Sequence, residues 1–201
     1  IDYFWIYAKV FDVMYFWIML FFFGICCVSL SFAVRKKQQK YITNVYFVLI
    51  WAISSFRYRI GTDYDEYEEL YVATSTSDIF QGSMEPAFCV ISEIIKQLGM
   101  NSQVMFLVFT TVTLGSILIT LRHYLGSEKE NVVMLFLFLY TCVGLQGGYW
   151  WGMNCMRQEA AVAITFFASF YAYKRKFFKY CVAVILAFMF HYSALIFFPV
   201  Y

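Results

Sequence analysis

Arg57-Tyr58-Arg59-Ile60-Gly61-Thr62-Asp63-Tyr64-Asp65-Glu66-Tyr67-Glu68-Glu69-Leu70-Tyr71 concentrates two arginines, five carboxylates and four tyrosines in fifteen residues. The 201-residue chain around it is 62% hydrophobic and 14% charged. Long apolar segments precede this stretch and follow it. A dense polar stretch between apolar segments is typical of a functional loop that joins membrane-spanning helices. The fold is therefore interpreted outward from this stretch.

The composition predicts an integral membrane protein. The mean hydropathy is +0.66, and the charged fraction of 14% is well below the roughly 25% that soluble globular domains carry. A helix needs about 20 apolar residues to cross about 30 Å of hydrocarbon. Residues 13–34 contain no charged side chain and meet this requirement. The composition excludes the soluble globular class.

The distribution of charge predicts the orientation. Lysine and arginine cluster at residues 35–40, 122–129 and 174–179, whereas most acidic residues lie between positions 63 and 93. Cationic loops stay on the cytoplasmic side of a membrane. We therefore expect the three basic clusters to face the cytoplasm and the loop 57–102 to face outward.

The apolar segments predict an all-α, polytopic helical bundle of about six to seven spans, forming one transmembrane domain over residues 1–201. The expected spans are, in chain order, residues 13–34, 41–56, 103–121, 131–143, 156–173 and 178–190, with a further apolar stretch at 192–201. A glycine-rich turn, residues 144–152, precedes the fifth span. Neither an internal repeat nor a low-complexity linker is visible.

The outer loop, residues 57–102, is predicted to form two short helices. Thr62 or Asp63 can cap the first helix. Tyr64, Tyr67 and Tyr71 recur at helical spacing, which favours an amphipathic helix that lies along the membrane interface.

The second outer helix is expected to begin near Ser83-Met84-Glu85-Pro86, where proline fits a first helical position, and to end at Gly99. Its apolar face is predicted to consist of Ala87, Ile91, Ile94 and Leu98.

Three polar side chains are expected at one depth. Arg57 lies 17 positions from Lys40, Arg157 lies 17 positions from Lys174, and His191 lies 15 positions from Lys176. At 1.5 Å per helical residue, these separations are roughly 22 to 26 Å, so all three lie slightly below the outer boundary of a layer about 30 Å thick. This pattern predicts one shared pocket open to the outside. The alternative is that each residue marks a helix end and extends its side chain to the headgroups.

Other candidates carry weaker signals. Asp63 and Asp65 form a carboxylate pair of the kind that holds a divalent cation in nucleotide-sugar enzymes, but helix capping also explains Asp63. Arg157 follows the glycine-rich turn and opens a helix, so its guanidinium and the free backbone N–H groups can converge on one phosphate.

Four segments resemble the EpsG family of Wzy-like polymerases of bacterial exopolysaccharide, capsule and O-antigen. The segment from Arg57 to Tyr64, with Tyr67, resembles the R-x-G-T-D-Y-x-x-Y signature of that family. Met84-Glu85-Pro86 resembles a glutamate-containing step, and Met156-Arg157-Gln158 resembles an arginine-led helix start. His191-Tyr192-Ser193-Ala194-Leu195 resembles the H-x-S-A-L segment. Family members are longer, so the chain is expected to be an N-terminal portion.

The resemblance implies a GT-C-type glycosyltransferase, multi-pass in the bacterial cytoplasmic (inner) membrane, with an outward-facing active site. The implied substrates are an undecaprenyl-diphosphate-linked glycan donor and acceptor. Further expected partners are the lipid bilayer, a chain-length regulator and a flippase. No nucleic-acid partner is expected. The enzyme is expected to need neither a metal nor a cofactor, because arginines can neutralise the diphosphate.

The resemblance also implies roles for particular residues. The base that accepts the proton of the attacking sugar hydroxyl is His191, Asp63 or Asp65, and this choice stays open. The substrate-binding residues are expected to be Arg57, Arg59, Arg157, Gln158, Tyr64, Tyr67 and Glu85.

Two other functions fit part of the pattern. A transporter or flippase of an anionic lipid-linked glycan would use the same arginines without chemistry, although transporters place charge near the bilayer midplane on repeated, broken helices. A membrane sugar acyltransferase would use His191 as its base, but the signature around Gly61 would then have no explanation.

Overall fold

The computed structural model of the chain describes residues 2–82, 84–126, 128–142 and 148–201, and its side chains from residue 15 onward except at positions 80 and 81. Over these residues the chain is all-helical and contains no strand. The elements are α1 (Asp2–Ala33), α2 (Lys36–Ser55), α3 (Tyr64–Ala73), α4 (Ser77–Gln81), α5 (Pro86–Gln97), α6 (Ser102–Leu125), α7 (Glu130–Cys142), α8 (Tyr149–Asn154), α9 (Met156–Tyr173), α10 (Phe177–Phe190) and a 3-10 helix (Tyr192–Val200).

Two segments are long and apolar enough to cross a membrane, namely Tyr15–Ala33 in α1 and Ser102–Leu125, which is α6. Only 22% of the α1 segment is buried inside the protein, against 56% of α6. The exposed α1 side chains include Met19, Phe22 and Phe32. Exposing such a large apolar face to water would cost much free energy, so this face is suited to lipid. Helices α7 and α10 are apolar but shorter.

Helix α6 lies at the centre of the bundle and packs on α2, α5, α7 and α9, while α9 also packs along α10. The face that α9 buries is rich in alanine, which lets neighbouring helices approach closely. Those buried alanines are Ala160, Ala161, Ala163 and Ala168. At 1.5 Å per residue, the 24 residues of α6 extend roughly 36 Å. The N-terminal and C-terminal ends of α6 therefore lie roughly 36 Å apart.

The C-terminal end of α6 carries a structural ion pair. Arg122 donates from Nε and Nη2 to the two carboxylate oxygens of Glu130, at 2.9 and 3.0 Å, and Nη2 also donates to the Asn44 side chain at 2.7 Å. Thr43 donates to the backbone carbonyl of Glu130. These contacts join α2, α6 and α7 at the predicted cytoplasmic end.

The segment between α2 and α6 forms three helices, α3, α4 and α5, where two were predicted. The predicted interfacial position of the α3 tyrosines is also wrong, since Tyr64, Tyr67 and Tyr71 are 2%, 5% and 6% exposed and lie in the core. A tyrosine face suits a packed core as well as a membrane interface. Neither Thr62 nor Asp63 caps α3 through its side chain; Thr62 Oγ1 donates to Asp63 instead.

Helix α5 begins at Pro86 and ends before Gly99 (φ +68°), as predicted. Its predicted apolar face is wrong in part, because Ile94 and Leu98 are exposed. The face that α5 buries consists of Ala87, Phe88, Cys89, Ser92 and Ile95. This face includes Ser92, whose hydroxyl contacts Met105 Sδ at 3.8 Å. Because Ser92 is polar, the spacing of apolar residues alone does not identify the buried face.

After α10 the chain turns at His191 and runs back along α10 as the 3-10 helix. The Tyr180 hydroxyl, near the start of α10, donates to the Phe197 carbonyl. The rings of Phe177 and Tyr201 lie 5.0 Å apart. The seventh apolar stretch is therefore antiparallel to α10. In the predicted glycine-rich turn, residues 144–147 lie outside the described residues, while α8 begins directly after Gly148.

Candidate functional site

The signature loop between α2 and α3 is attached to the junction of α8 and α9. The Thr62 backbone N–H donates to Asn154 Oδ1 at 2.8 Å. Gly61 has φ +103°, and a Cβ placed there would lie 2.8 Å from the same Asn154 oxygen. Only glycine meets both conditions without strain. Asn154 was not predicted as a site residue, although it is the last residue of α8, three positions before Arg157.

Arg57 is a buried cation. It lies in the loop directly after Phe56, which ends α2, and is 2% exposed. Its guanidinium carbon lies 4.6 Å from the centroid of the Phe106 ring, and Nη2 lies 4.0 Å from Met156 Sδ. Its Nε has no hydrogen-bond partner, and no carboxylate of the described residues forms an ion pair with it.

Burial lowers the pKa of Arg57 to about 10, and nearby tyrosines oppose this shift. The guanidinium therefore remains protonated at neutral pH. A buried positive charge without a counter-ion is costly, so Arg57 is a candidate for binding an anion.

Arg157, the second residue of α9, is a paired cation. Its Nη1 lies 2.5 Å from Glu85 Oε2 and 2.7 Å from Met84 Sδ. Its guanidinium also lies over the rings of Phe88 and Tyr67, at 5.4 and 5.8 Å from the centroids. Burial raises the pKa of the Tyr67 hydroxyl, and the Arg157 charge opposes this effect.

His191 approaches the other oxygen of the same carboxylate. It has an extended backbone (φ −158°, ψ +131°), which ends α10 and turns the chain. Its Nδ1 lies 3.1 Å from Glu85 Oε1, but the contact is out of line for a hydrogen bond. The hydroxyl of the next residue, Tyr192, donates to the Met84 carbonyl at 2.9 Å. Glu85 thus lies between a guanidinium and an imidazole.

Glu85 contacts both Arg157 and His191, and Arg57 is connected to Arg157 through Met156. We call these four residues the arginine–histidine pocket. Met156 contacts Arg57 and immediately precedes Arg157. Aromatic rings continue the connection: Tyr64 stacks on Phe106 at 4.8 Å, and Tyr67 meets the same ring edge-on at 6.4 Å. The pocket is partly closed, since the side chains of His191 and Arg157 are 30% and 24% exposed and that of Glu85 is 9% exposed.

Other predicted site residues make their contacts outside the pocket. Arg59 and Asp65 form an exposed ion pair at 3.8 Å, and Gln158 is exposed. Asp63 accepts the Thr62 hydroxyl.

Tyr64 is buried and its hydroxyl donates to Glu68. Burial and the Glu68 carboxylate raise the pKa of Tyr64 to about 12. Tyr64 therefore remains neutral and lines the aromatic wall next to Arg57.

Glu159, for which no role was predicted, is a second buried carboxylate on α9. It is 8% exposed and accepts the Tyr140 hydroxyl at 3.0 Å. A Cβ on Gly152 would lie 2.9 Å from its Cγ. Glu159 therefore joins α9 to α7 and α8, and its contacts do not involve the arginine–histidine pocket.

The charges of the pocket suit an anionic ligand. The four residues include two guanidinium groups and one carboxylate, which pairs with Arg157 and not with Arg57, so the excess charge is positive. Within the described part of the chain, no group of three or more His, Cys, Asp or Glu side chains is arranged to hold a metal ion. Guanidinium groups bind phosphate oxygens through several N–H donors at once.

These features define an all-helical membrane protein with a cationic pocket at one end of its bundle. A sequence model of the EpsG family matches residues 40–201, and the chain belongs to that family of Wzy-like polysaccharide polymerases. The match covers all four residues of the pocket and confirms the family predicted from the signature. Comparisons with curated proteins and with solved structures gave no match.

Proposed function

We propose that the protein is a GT-C-type glycosyltransferase that polymerises undecaprenyl-diphosphate-linked oligosaccharide repeat units on the extracytoplasmic face of the bacterial cytoplasmic membrane. Membership of the EpsG family supports a polysaccharide polymerase that acts on lipid-linked glycans in a membrane. The observation that carries the more specific proposal is the arginine–histidine pocket, in which cations for a diphosphate lie beside a base for a sugar hydroxyl.

The arginines stabilise the leaving group. The acceptor hydroxyl attacks the anomeric carbon of the donor glycan while the bond to the lipid diphosphate breaks, and negative charge develops on the diphosphate. Arg57 supplies a positive charge that no carboxylate of the described residues neutralises. Arg157 supplies further N–H donors. Fixed donors of this kind act strongly in a site that excludes water.

His191 accepts the proton of the attacking hydroxyl. Its Nδ1 faces Glu85, which leaves Nε2 as the basic atom for the acceptor. Asp65 is a weaker candidate because it is exposed and faces Arg59, and Asp63 already accepts a hydrogen bond from Thr62. A neutral imidazole is a suitable general base near neutral pH.

Topology and partners extend this proposal. The loop between α2 and α6 faces outward, and the Arg122–Glu130 end of α6 faces the cytoplasm, in line with the charge rule. The helices form one polytopic domain with about six to seven spans. A flippase supplies the lipid-linked repeat units on the outer side, and a chain-length regulator acts with the polymerase.

The direct test uses purified protein in lipid nanodiscs with an undecaprenyl-diphosphate-linked oligosaccharide, and polymer is read as a ladder on a gel. Wild-type protein is expected to form polymer. Arg157→Ala is expected to form none while remaining inserted, and Arg157→Lys is expected to recover little activity because lysine lacks the bidentate fork. Glu93→Gln, a change outside the pocket on α5, serves as the matched control and is expected to behave as wild type.

Polymer of normal length from Arg157→Ala would contradict the assignment. If the wild-type protein forms no polymer but carries the lipid-linked oligosaccharide across a vesicle membrane, the polymerase proposal fails in favour of transport.

A further inference from the structure

The Glu85 carboxylate divides its two oxygens between Arg157 and His191. Oε2 lies 2.5 Å from Arg157 Nη1, and Oε1 lies 3.1 Å from His191 Nδ1. Glu85 immediately precedes α5, where Pro86 takes the first helical position. Its side chain is 9% exposed, so most of its interaction is with these two partners. Any change in how strongly it pairs with one partner changes its effect on the other.

We propose that Glu85 is a positioning residue that couples the capture of a diphosphate by Arg157 to the basicity of His191. The inference rests on the proposed function, because it concerns the same pocket. It replaces the substrate-binding role predicted for Glu85 with a role exerted through its two neighbours.

The coupling follows from charge. In the free protein, Arg157 neutralises much of the Glu85 charge, and the pull of the carboxylate on the imidazole is weak. Arg157 Nη1 serves Glu85 and Met84, so the remaining guanidinium N–H groups are what a phosphate would take. A bound diphosphate then shares the Arg157 charge. Glu85 consequently acts more strongly on the His191 Nδ1–H, which raises the affinity of Nε2 for a proton.

In the described part of the chain, few titratable groups other than Glu85 and Arg157 are connected to the His191 imidazole. Glu85, directly before α5, contacts the imidazole, and Tyr192 is its neighbour in the chain. Arg157 on α9 pairs with Glu85, while Cys89 on α5 and Tyr67 on α3 interact with Arg157. Burial raises the pKa values of Cys89 and Tyr67, so both are neutral near pH 7. Glu85 and Arg157 therefore dominate the electrostatics at His191.

The chain contains two histidines, which makes a direct measurement possible. Protein labelled with 15N-histidine is titrated in nanodiscs by NMR, without and with inorganic pyrophosphate. His123, in the last turn of α6, is far from the pocket and serves as the internal control.

Opposite shifts are expected from the two partners of His191. Glu85→Gln lowers the proton affinity of His191 about tenfold, because the carboxylate is lost while the Arg157 charge remains. Arg157→Gln raises it about tenfold, because Glu85 then acts on the imidazole alone. In the wild type, pyrophosphate raises the proton affinity of His191, and in Glu85→Gln the rise is several-fold smaller. His123 does not respond.

Three results would overturn the coupling: shifts of the same sign in the two variants, no rise in Arg157→Gln, or an equal response to pyrophosphate with and without Glu85. If Glu85→Gln does not fold, the Arg157→Gln titration decides by itself. The titration requires no turnover. If the His191 shifts are as expected but the protein forms no polymer, the coupling stands and the polymerase proposal fails. If the protein forms polymer but His191 does not shift as expected, the polymerase proposal stands and the coupling fails.

Discussion

The two arginines of the pocket are expected to affect stability in opposite directions, although we propose that both bind the same diphosphate. Arg57 is buried without a carboxylate partner among the described residues, whereas Arg157 is paired with Glu85. Replacing Arg57 by methionine, which is similar in length and uncharged, should therefore stabilise the folded protein and abolish polymerisation. Replacing Arg157 by methionine should abolish polymerisation and destabilise the protein.

The magnitude for Arg57 follows from its pKa. Burial lowers this pKa well below the ordinary value of arginine, to about 10, and each pKa unit corresponds to about 1.36 kcal/mol, so the charge costs about 3 kcal/mol. Because the pKa is lowered on folding, the cost is present in full below about pH 10 and is lost as the pH rises through the higher pKa of the unfolded state. The contact with Phe106 offsets about 1 kcal/mol. Arg57→Met should therefore gain about 2 kcal/mol at pH 7.

For Arg157 the sign reverses. Its removal leaves the buried Glu85 carboxylate without its cation, and breaking a buried pair costs about 3–5 kcal/mol. Since the Arg157 side chain is 24% exposed, we expect a loss of about 2–3 kcal/mol.

The assay is denaturant unfolding of the purified proteins in one detergent at pH 7, followed by tryptophan fluorescence. Arg57→Lys is the control, because it keeps a buried cation and should show no gain. An Arg57→Met variant that is less stable than wild type, or two methionine variants that shift in the same direction, would refute the charge assignment.

Three further outcomes are expected. Gly61→Ala should cost about 2–4 kcal/mol of unfolding free energy, because the new Cβ lies 2.8 Å from Asn154 Oδ1 at φ +103°. The control Gly82→Ala, at φ +67° in open space, should cost about 1 kcal/mol. Equal losses in the two variants would argue against the Asn154 contact. Glu130→Gln should lower stability by about 2 kcal/mol and leave polymer length unchanged on the gel, since its partner Arg122 lies at the other end of α6; shortened polymer would place this pair in the reaction. Asp65→Asn should change stability by less than about 1 kcal/mol and retain polymer formation, because Asp65 is exposed; loss of polymer would reopen Asp65 as the base.

The helices could be predicted because their signal is local. Uninterrupted apolar runs locate α1 and α6, and the predicted fifth span coincides with α9. Counting residues from the basic clusters predicted one depth for Arg57, Arg157 and His191, and that depth stays a prediction. In the structure Arg157 and His191 share Glu85 as a partner.

What the sequence missed depends on contacts between distant positions. Glu85 lies 72 residues from Arg157, and no local pattern indicates that one carboxylate faces both an arginine and a histidine. The tyrosines of α3 have a spacing that fits an interface and a core equally, and only the position of Phe106 decides between them. The burial of Arg57 contradicts the usual behaviour of arginine, so composition could not predict it.

The hydrogen bond from Thr62 to Asn154 has a practical consequence for chimeric proteins. The loop between α2 and α6 is the natural segment to exchange between relatives that make different glycans. Its first turn rests on Asn154, and its glutamate rests on Arg157 and His191. A graft of the loop alone would separate it from these supports. Exchanges that transfer the loop together with the end of α8, the start of α9 and the end of α10 should yield folded hybrids.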